Sequence, residues 1–452
     1  MERACLIVAA ALVVTVPLCA AEFPINTRLS GAQCNPTVAA TGGGDFVVAW
    51  SSYYSSSGRS NEIMARRFDR TGAPLDGDEF QVNVTREGNQ TEPAVAIDAR
   101  GGLAVVWEDP GRAGVDIVAR IFDANGDPLT DELTINAAIP GERRFPRVAA
   151  GLDGSFVAVW EDRDTGDAGL ASVWGRSFDV LGARQATEFL VAADFWDCRY
   201  PDVATDAAGN FVVTWLQDRT SKSVCGRLFD ANGLALSDAF DVSEVEFSSV
   251  TRPAVAMNER GHFVVTWDGD PNLASLDDIH ARCFEPNGAP QSSQFLVNTL
   301  RAGAQQWPRV AVDDANDVVF VWQSDGNDPG VPTSIHARRF DVQGRPLGEE
   351  VRLAPSGWDT QRYPDVALAA DGAFVAAWES AEPDSSDYDI LATTVPAPFR
   401  PDLDGDARVD LHDIQVLGQS WRLAVDGAAA DLNQDGLTDA RDLEILCSHW
   451  LR

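Results

Sequence analysis

Cysteine is scarce in this chain and irregularly placed. Of its seven cysteines, Cys5 and Cys19 fall in an N-terminal leader, which leaves Cys34, Cys198, Cys225, Cys283 and Cys447. An odd number at scattered spacings, with no CxxC pair, is not a disulfide framework. The pairing left open is Cys198 with Cys225. Positive charge is short as well: 35 Lys and Arg stand against 69 Asp and Glu, a formal net charge of -34. Such a surface repels nucleic-acid phosphates and anionic membranes, so neither is an expected partner. It suits calcium, basic partners and salty surroundings. Beyond the leader no segment is apolar enough to span a bilayer. Over residues 22–395 no stretch sustains a period of 3.6, which argues against helices there. Catalytic signatures are missing too. There is no GxSxG and no HExxH, and the five His residues form no set. His280 and His336 occupy equivalent repeat positions, while His412 and His449 lie in the tail. Acid pairs suited to glycoside chemistry are so abundant that composition selects none.

What remains is rich in hydrophobic residues, 45% of the chain, enough for a sizeable core. The N-terminus reads as an export signal. Met1-Glu2-Arg3 is a short charged start, Leu6 to Leu18 is apolar, and Ala20-Ala21 offers small residues for cleavage before Glu22. The apolar run is too short for a membrane span. Val16-Pro17-Leu18 lacks the small residue expected ahead of a lipid-bearing cysteine at 19. The expected location is therefore secreted or at the cell surface.

The main signal is a repeat of about 55 residues. Trp50, Trp107, Trp160, Trp215, Trp267, Trp322 and Trp378 each close a similar phrase, such as GDFVVAW (44–50) or GNFVVTW (209–215). A second phrase starts upstream at Pro36, Pro93, Pro146, Pro201, Pro253, Pro308 and Pro364. A third follows downstream, as in IMARRFD (63–69) and IHARRFD (335–341). A fourth reads FQVN (80–83), LTIN (133–136) or FLVN (295–298). Each phrase is short and rich in Val, Phe and Trp, and Gly, Asp, Asn and Pro separate them; these are strand and turn signals. Four strands repeated seven times is the arithmetic of a seven-bladed β-propeller, an all-β fold, with a linear solenoid as runner-up. The recurrent Trp, Phe and Val are expected to fill the space between blades. The recurrent Arg of the third phrase (Arg66, Arg120, Arg176, Arg227, Arg282, Arg338) is expected to bond within or between blades.

The seventh repeat lacks its fourth phrase, and a matching one, Phe23-Pro24-Ile25-Asn26, stands ahead of the first repeat. An N-terminal strand completing the last blade would close the ring and leave no unpaired edge there. That displacement favours a ring over a solenoid.

Composition changes after Val395. The expected organisation is a signal peptide over 1–21, the propeller over 22–395, a stiff Pro-rich linker over 396–401, and a small calcium-loop module with short α-helices over 402–452. The module holds DLDGDARVDLHD (402–413) and DLNQDGLTDARD (431–442). Oxygen-bearing side chains fall at positions 1, 3, 5, 9 and 12 of each twelve-residue loop, the spacing by which a loop curls around calcium. The first site would use Asp402, Asp404, Asp406, Asp410 and Asp413 with the Arg408 carbonyl. The second would use Asp431, Asn433, Asp435, Asp439 and Asp442 with the Leu437 carbonyl. The segments 414–421 and 443–450 read as short amphipathic helices, with Leu417 and Trp421, and Leu446 and Trp450, on shared faces. Paired loops with Asp at position 12 resemble dockerin type I modules. The resemblance implies two calcium sites and a cohesin-like protein partner. Position 6 is Gly436 in the second loop but Ala407 in the first, so the first site is expected to be the weaker. The pairs after position 9 are Leu411-His412 and Ala440-Arg441, unlike the small hydroxyl residues of cellulosomal dockerins.

Loops ahead of the first strand of each repeat, and those joining its second to its third, should share one face. They carry Tyr53, Tyr54, Asp109, Asp162, Asp164, Phe195, Trp196, Asp268, Asp270, Asp325, Trp358 and Asp359. Residues just before the repeat prolines add Phe145, Tyr200, Trp307 and Tyr363. Aromatics beside carboxylates can stack on sugars and hold their hydroxyls. Trp196, Trp307 and Trp358 stand outside the repeated core positions and are the candidate ligand-face residues. The phrases D-x-x-G-x-F-V-V-x-W are similar to sialidase Asp-boxes, but the Gly-to-Trp spacing differs and no arginine triad is assignable. The expected function is that of a secreted or cell-surface binding or scaffold protein tethered by its tail. The alternative is a carbohydrate-active enzyme, a polysaccharide hydrolase or lyase, of a dockerin-bearing complex.

Overall fold

A computed structural model describes residues 22–397, apart from Leu29 and the segments 54–60, 112–113, 138–140, 164–168, 180–186, 272–275, 327–332, 354–359 and 382–386. The chain divides into two compact units, Met1–Pro396 and Ala397–Arg452. The first is described below. Among the described residues its elements are 28 strands. No helix there is long and apolar enough to cross a membrane.

The strands form seven four-stranded antiparallel blades of a β-propeller. Blade 1 runs Gln33–Ala40, Phe46–Ser52, Glu62–Phe68 and Phe80–Gln81. The next five blades begin at Thr91, Gly141, Asp197, Ala254 and Gln305. Blade 7 holds Thr360–Leu368, Phe374–Ala381 and Asp389–Val395, and its fourth strand is Phe23–Pro24. Blades 2 and 3 are also joined by a short parallel pairing, Gly114 with Gly141 and Val115 with Glu142.

The second strand of each blade explains the Val-Phe-Trp phrases. Neighbouring blades cover it on both faces, so it is apolar without alternation. Every residue of Phe46–Ser52 is buried. All seven repeat tryptophans are at most 1% exposed. Each of the seven core clusters is shared by two adjacent blades, and one of them joins blade 7 to blade 1 through Ile25, Val38, Trp50, Ala377 and Ile390. The turn before each second strand needs a residue in the left-handed region, and glycine supplies it in six blades, for example Gly44 (φ 93°) and Gly372 (φ 88°). In blade 6 Asn316 (φ 69°) stands in that place, a side chain that tolerates this conformation.

The recurrent Arg links neighbouring blades. Arg120 Nη1 donates to Val82 O (2.7 Å), Arg176 to Ile135 O (2.6 Å) and Arg338 to Val297 O (2.9 Å), each acceptor lying just after the fourth strand of the preceding blade. Arg66 donates to Ile25 O (3.0 Å), so the N-terminal segment meets blade 1 as five of the other fourth strands meet their neighbours. His280 and His336 are buried third-strand residues. The His336 ring lies 2.9 Å from Glu350 and 3.0 Å from Ser334 Oγ. Cys34, Cys198, Cys225 and Cys283 are free thiols. Cys198 and Cys225 lie on the first and third strands of blade 4, with the second between them. Two strand spacings of about 4.8 Å hold their backbones beyond disulfide reach. Cys447 lies outside the described residues.

Candidate functional site

The repeat proline shapes the centre of the ring. In six blades the first strand bulges at it, with the register against the second strand shifting between, for example, Cys34 and Thr37 or Gln306 and Arg309. The residue before the proline then takes a positive φ: Asn35 56°, Glu92 50°, Phe145 55°, Tyr200 51°, Trp307 56° and Tyr363 51°. Non-glycine residues hold that conformation at a cost of about 1–3 kcal/mol each, and only where the surroundings enforce it.

For four of the six, an acid directly after the repeat tryptophan of the preceding blade braces the backbone. Glu379 accepts the Asn35 N–H (2.7 Å), Glu108 that of Phe145 (2.8 Å), Glu161 that of Tyr200 (3.3 Å) and Asp268 that of Trp307 (3.1 Å). These four acids are 1, 3, 3 and 0% exposed. Burial pushes Glu108 up to about 7 and Asp268 up to about 6, and raises Glu161 and Glu379 as well. They are enclosed and committed to backbone amides, so none is placed to meet a substrate. Asp268, expected on a loop, is a fully buried strand residue, because the second strand runs two residues past Trp267. Ahead of blade 5 the bracing position is Leu216, which has no acceptor. There the first strand is only Ala254–Met257, without a bulge.

Blade 5 accordingly presents its pre-proline residue differently. Arg252 reaches across the ring to blade 2, where Nη1 donates to Glu92 Oε2 at 2.8 Å. Its guanidinium lies over the rings of Phe145 (4.4 Å), Tyr200 (5.1 Å) and Trp307 (5.3 Å), within the range of cation–π attraction. Phe145 meets Tyr200 at 4.7 Å, and Trp307 meets Tyr363 edge-on at 4.8 Å. Asn35 Nδ2 donates to Glu92 Oε1 at 2.7 Å. Seven pre-proline residues from seven blades thus form one collar around the central channel, with Arg252 at its hub. Burial pushes the Glu92 carboxyl up, but the charge and hydrogen bond of Arg252 outweigh it and leave the group below its ordinary range.

A cavity of about 360 Å³ opens beside the collar, lined by Asn35, Glu92, Arg252, Trp307 and Tyr363 together with residues that follow the prolines. Among the latter, Arg147 Nε lies 3.9 Å from Asp202 and Arg309 Nε 3.5 Å from Asp365. Burial, and then the like charge of Arg309, pull Arg147 down to about 10.

Of the ligand-face candidates, Trp307 stands in the collar, as do Phe145, Tyr200 and Tyr363. Trp196 does not line the cavity. It sits 44% exposed next to Phe195, 90% exposed, just ahead of blade 4's first strand. Trp358 lies outside the described residues, with Tyr54, Asp164 and Asp359. So do all the expected calcium ligands: Asp402, Asp404, Asp406, Arg408, Asp410, Asp413, Asp431, Asn433, Asp435, Leu437, Asp439 and Asp442. Sequence reasoning missed Asn35, Glu92 and Arg252, although they occupy the same column as the aromatics. It also missed Arg147, Asp202, Arg309 and Asp365, one residue past the proline.

No curated protein matches the sequence. The fold is similar to several solved structures. One is a protein of unknown function from Dyadobacter fermentans, 11% identical, with a TM-score of 0.51, covering 85% of this chain and 100% of that one. Another is an ulvan lyase of a new polysaccharide lyase family, solved bound to -[GlcA(1-4)Rha3S]-. It is 9% identical, with a TM-score of 0.51 over 83% of this chain and 96% of that one. A third is the β-propeller domain of the Trilobed protease from Pyrococcus furiosus, 11% identical, with a TM-score of 0.47 over 82% and 96%. At such identities the first two likenesses show a shared fold alone. Residues 400–449 match the family model described as the Dockerin type I domain, and that segment is a dockerin type I domain.

Proposed function

We propose that this is a secreted or cell-surface recognition protein whose propeller binds a carbohydrate at the collar and whose dockerin domain tethers it to a cohesin-like partner. The observation that carries the reading is the collar itself. Trp307 and Tyr363 border an open cavity with Arg252, Glu92 and Asn35, an arrangement that offers rings for stacking and charged or amide groups for hydroxyls. Phe195 and Trp196 add an exposed aromatic pair. In this reading residues 22–395 are the recognition domain, 396–401 the linker and 402–452 the tether, behind a signal peptide over 1–21. The tail's donor set fits a hard cation: carboxylate and amide oxygens stand at positions 1, 3, 5, 9 and 12 of both loops. Calcium would hold the loops folded, since their crowded carboxylates repel one another without a cation.

The carbohydrate-active enzyme stands as the second reading, favoured by the raised carboxyl groups near the collar. Their burial and backbone bonds argue for recognition instead. Two assays on the full chain with calcium decide between them. Binding on a glycan array that Trp307→Ala abolishes supports recognition at the collar. Turnover of a polysaccharide that Glu108→Gln or Asp268→Asn abolishes, in a chain that melts like the unsubstituted one, would move the assignment to a catalytic site.

A further inference from the structure

The cavity beside the collar holds three arginines and three carboxylates, equal in charge but unequal in hydrogen bonding. Each carboxylate already takes a fixed donor. Asp202 Oδ2 accepts the Val255 N–H and Asp365 Oδ2 that of Val38, both at 2.8 Å. Glu92 accepts from Asn35 and Arg252. The guanidiniums are not. Each carries five N–H donors. Among the described residues Arg147 makes one hydrogen bond, to Pro146 O (2.9 Å), and Arg309 one, to Pro308 O (3.2 Å). Arg252 makes one, to Glu92. The contacts of Arg147 and Arg309 with their acids, at 3.9 and 3.5 Å, are longer than hydrogen bonds. These side chains are only 17 to 21% exposed, yet none of their unbonded nitrogens is sealed from solvent, so the remaining donors face the open cavity.

An open cavity bordered by spare, permanently charged donors is short of acceptors. The group that supplies acceptors in the planar or trigonal array a guanidinium fork matches is an oxyanion. Glu92 supplies one such oxygen from within the protein, across the channel. Because the rings of Phe145, Tyr200 and Trp307 surround the hub, a charged group arriving there carries an apolar or sugar body past aromatic faces. We propose that the channel cavity is an oxyanion site that receives a carboxylate or sulfate group of an acidic glycan, with Arg252 as its principal contact and Arg309 and Arg147 behind it. This rests on the glycan-recognition reading above and narrows its ligand class.

The test is titration calorimetry on the full chain at fixed calcium with three probes: a uronic-acid hexasaccharide, a neutral hexasaccharide and inorganic sulfate. The acidic oligosaccharide should bind at least tenfold more tightly than the neutral one. Arg252→Gln and Arg309→Gln should each weaken it tenfold or more, while Glu92→Gln, which removes the internal competitor, should strengthen it severalfold. The Glu92 variant keeps the readout informative if an arginine variant fails to fold. Equal binding of acidic and neutral probes, or acidic binding unchanged in every variant, overturns the oxyanion site while leaving glycan recognition intact. Sulfate binding that depends on Arg252, with neither oligosaccharide bound, upholds the oxyanion site and overturns the glycan ligand. No binding by any probe overturns both.

Discussion

Removing the N-terminal segment 22–30 should destabilise the propeller far more than its length suggests. Phe23 and Pro24 pair with Ala392 and Leu391, and the Ile25 N–H continues the ladder to Ile390 O at 2.9 Å. Ile25 is fully buried in the cluster shared by blades 7 and 1. Phe23 lies 5.9 Å from Phe68 and 6.5 Å from Phe46. Asn26 accepts the Ile390 N–H at 2.8 Å, and the Thr27 N–H binds Glu79 at 2.7 Å. A single change sets the scale. Ile25→Ala should cost about 2–4 kcal/mol through lost transfer energy and the cavity left behind. For a cooperative unit of about 370 residues that is a drop in Tm of roughly 3–5 °C. The truncation also removes Phe23, the carbonyl that Arg66 bonds and the acceptor of the Ile390 amide. Its loss should be at least twice as large, near 10 °C. The bared edge at Asp389–Val395 should favour association. Scanning calorimetry with light scattering measures both effects, and the exposed Ser30→Ala serves as a control. A truncated chain that melts like the full one, or an Ile25→Ala variant within 1 °C of it, would refute the account of how the last blade is completed.

Glu108 makes stability depend on pH. Its folded pKa of about 7 lies above the ordinary 4.5, so the native state holds a proton that the unfolded chain releases. This group's contribution therefore falls as pH rises through that window. Glu108→Gln keeps an acceptor for the Phe145 amide and should stabilise the protein by on the order of 2 kcal/mol at pH 8, with little gain at pH 4.5. A Tm difference that does not change between the two pH values would contradict this. In the tail, Asp431→Ala should cost more calcium affinity than Asp402→Ala, because Gly436 admits the sharp turn that Ala407 strains. Calorimetry should also show Ala407→Gly strengthening the first loop, and equal affinities at both loops would refute the ranking.

How far the site could be read in advance depended on whether its signal repeats. The tryptophans, the third-strand arginines and the proline column recur seven, six and seven times, so their shared role was visible without coordinates. The collar hides in that same proline column because it does not repeat. One residue before the proline the chain reads Asn35, Glu92, Phe145, Tyr200, Arg252, Trp307 and Tyr363. The aromatics stood out by type, whereas Arg252 and Glu92 looked like ordinary surface charges. Their contact spans 160 residues and follows only from ring geometry: in a seven-bladed ring, blades 2 and 5 are as far apart as two blades can be, and a pair joining them must cross the channel. The bracing acids were misread for a related reason. Asp268 follows the tryptophan that seems to end a strand, yet the pairing continues to Gly269, because the next blade covers that end as well. Leu216 in place of an acid ahead of blade 5 is the one irregularity that could have pointed to the hub. Blade 5 omits the bulge that the other six share, and there Arg252 sends its side chain across the ring to Glu92.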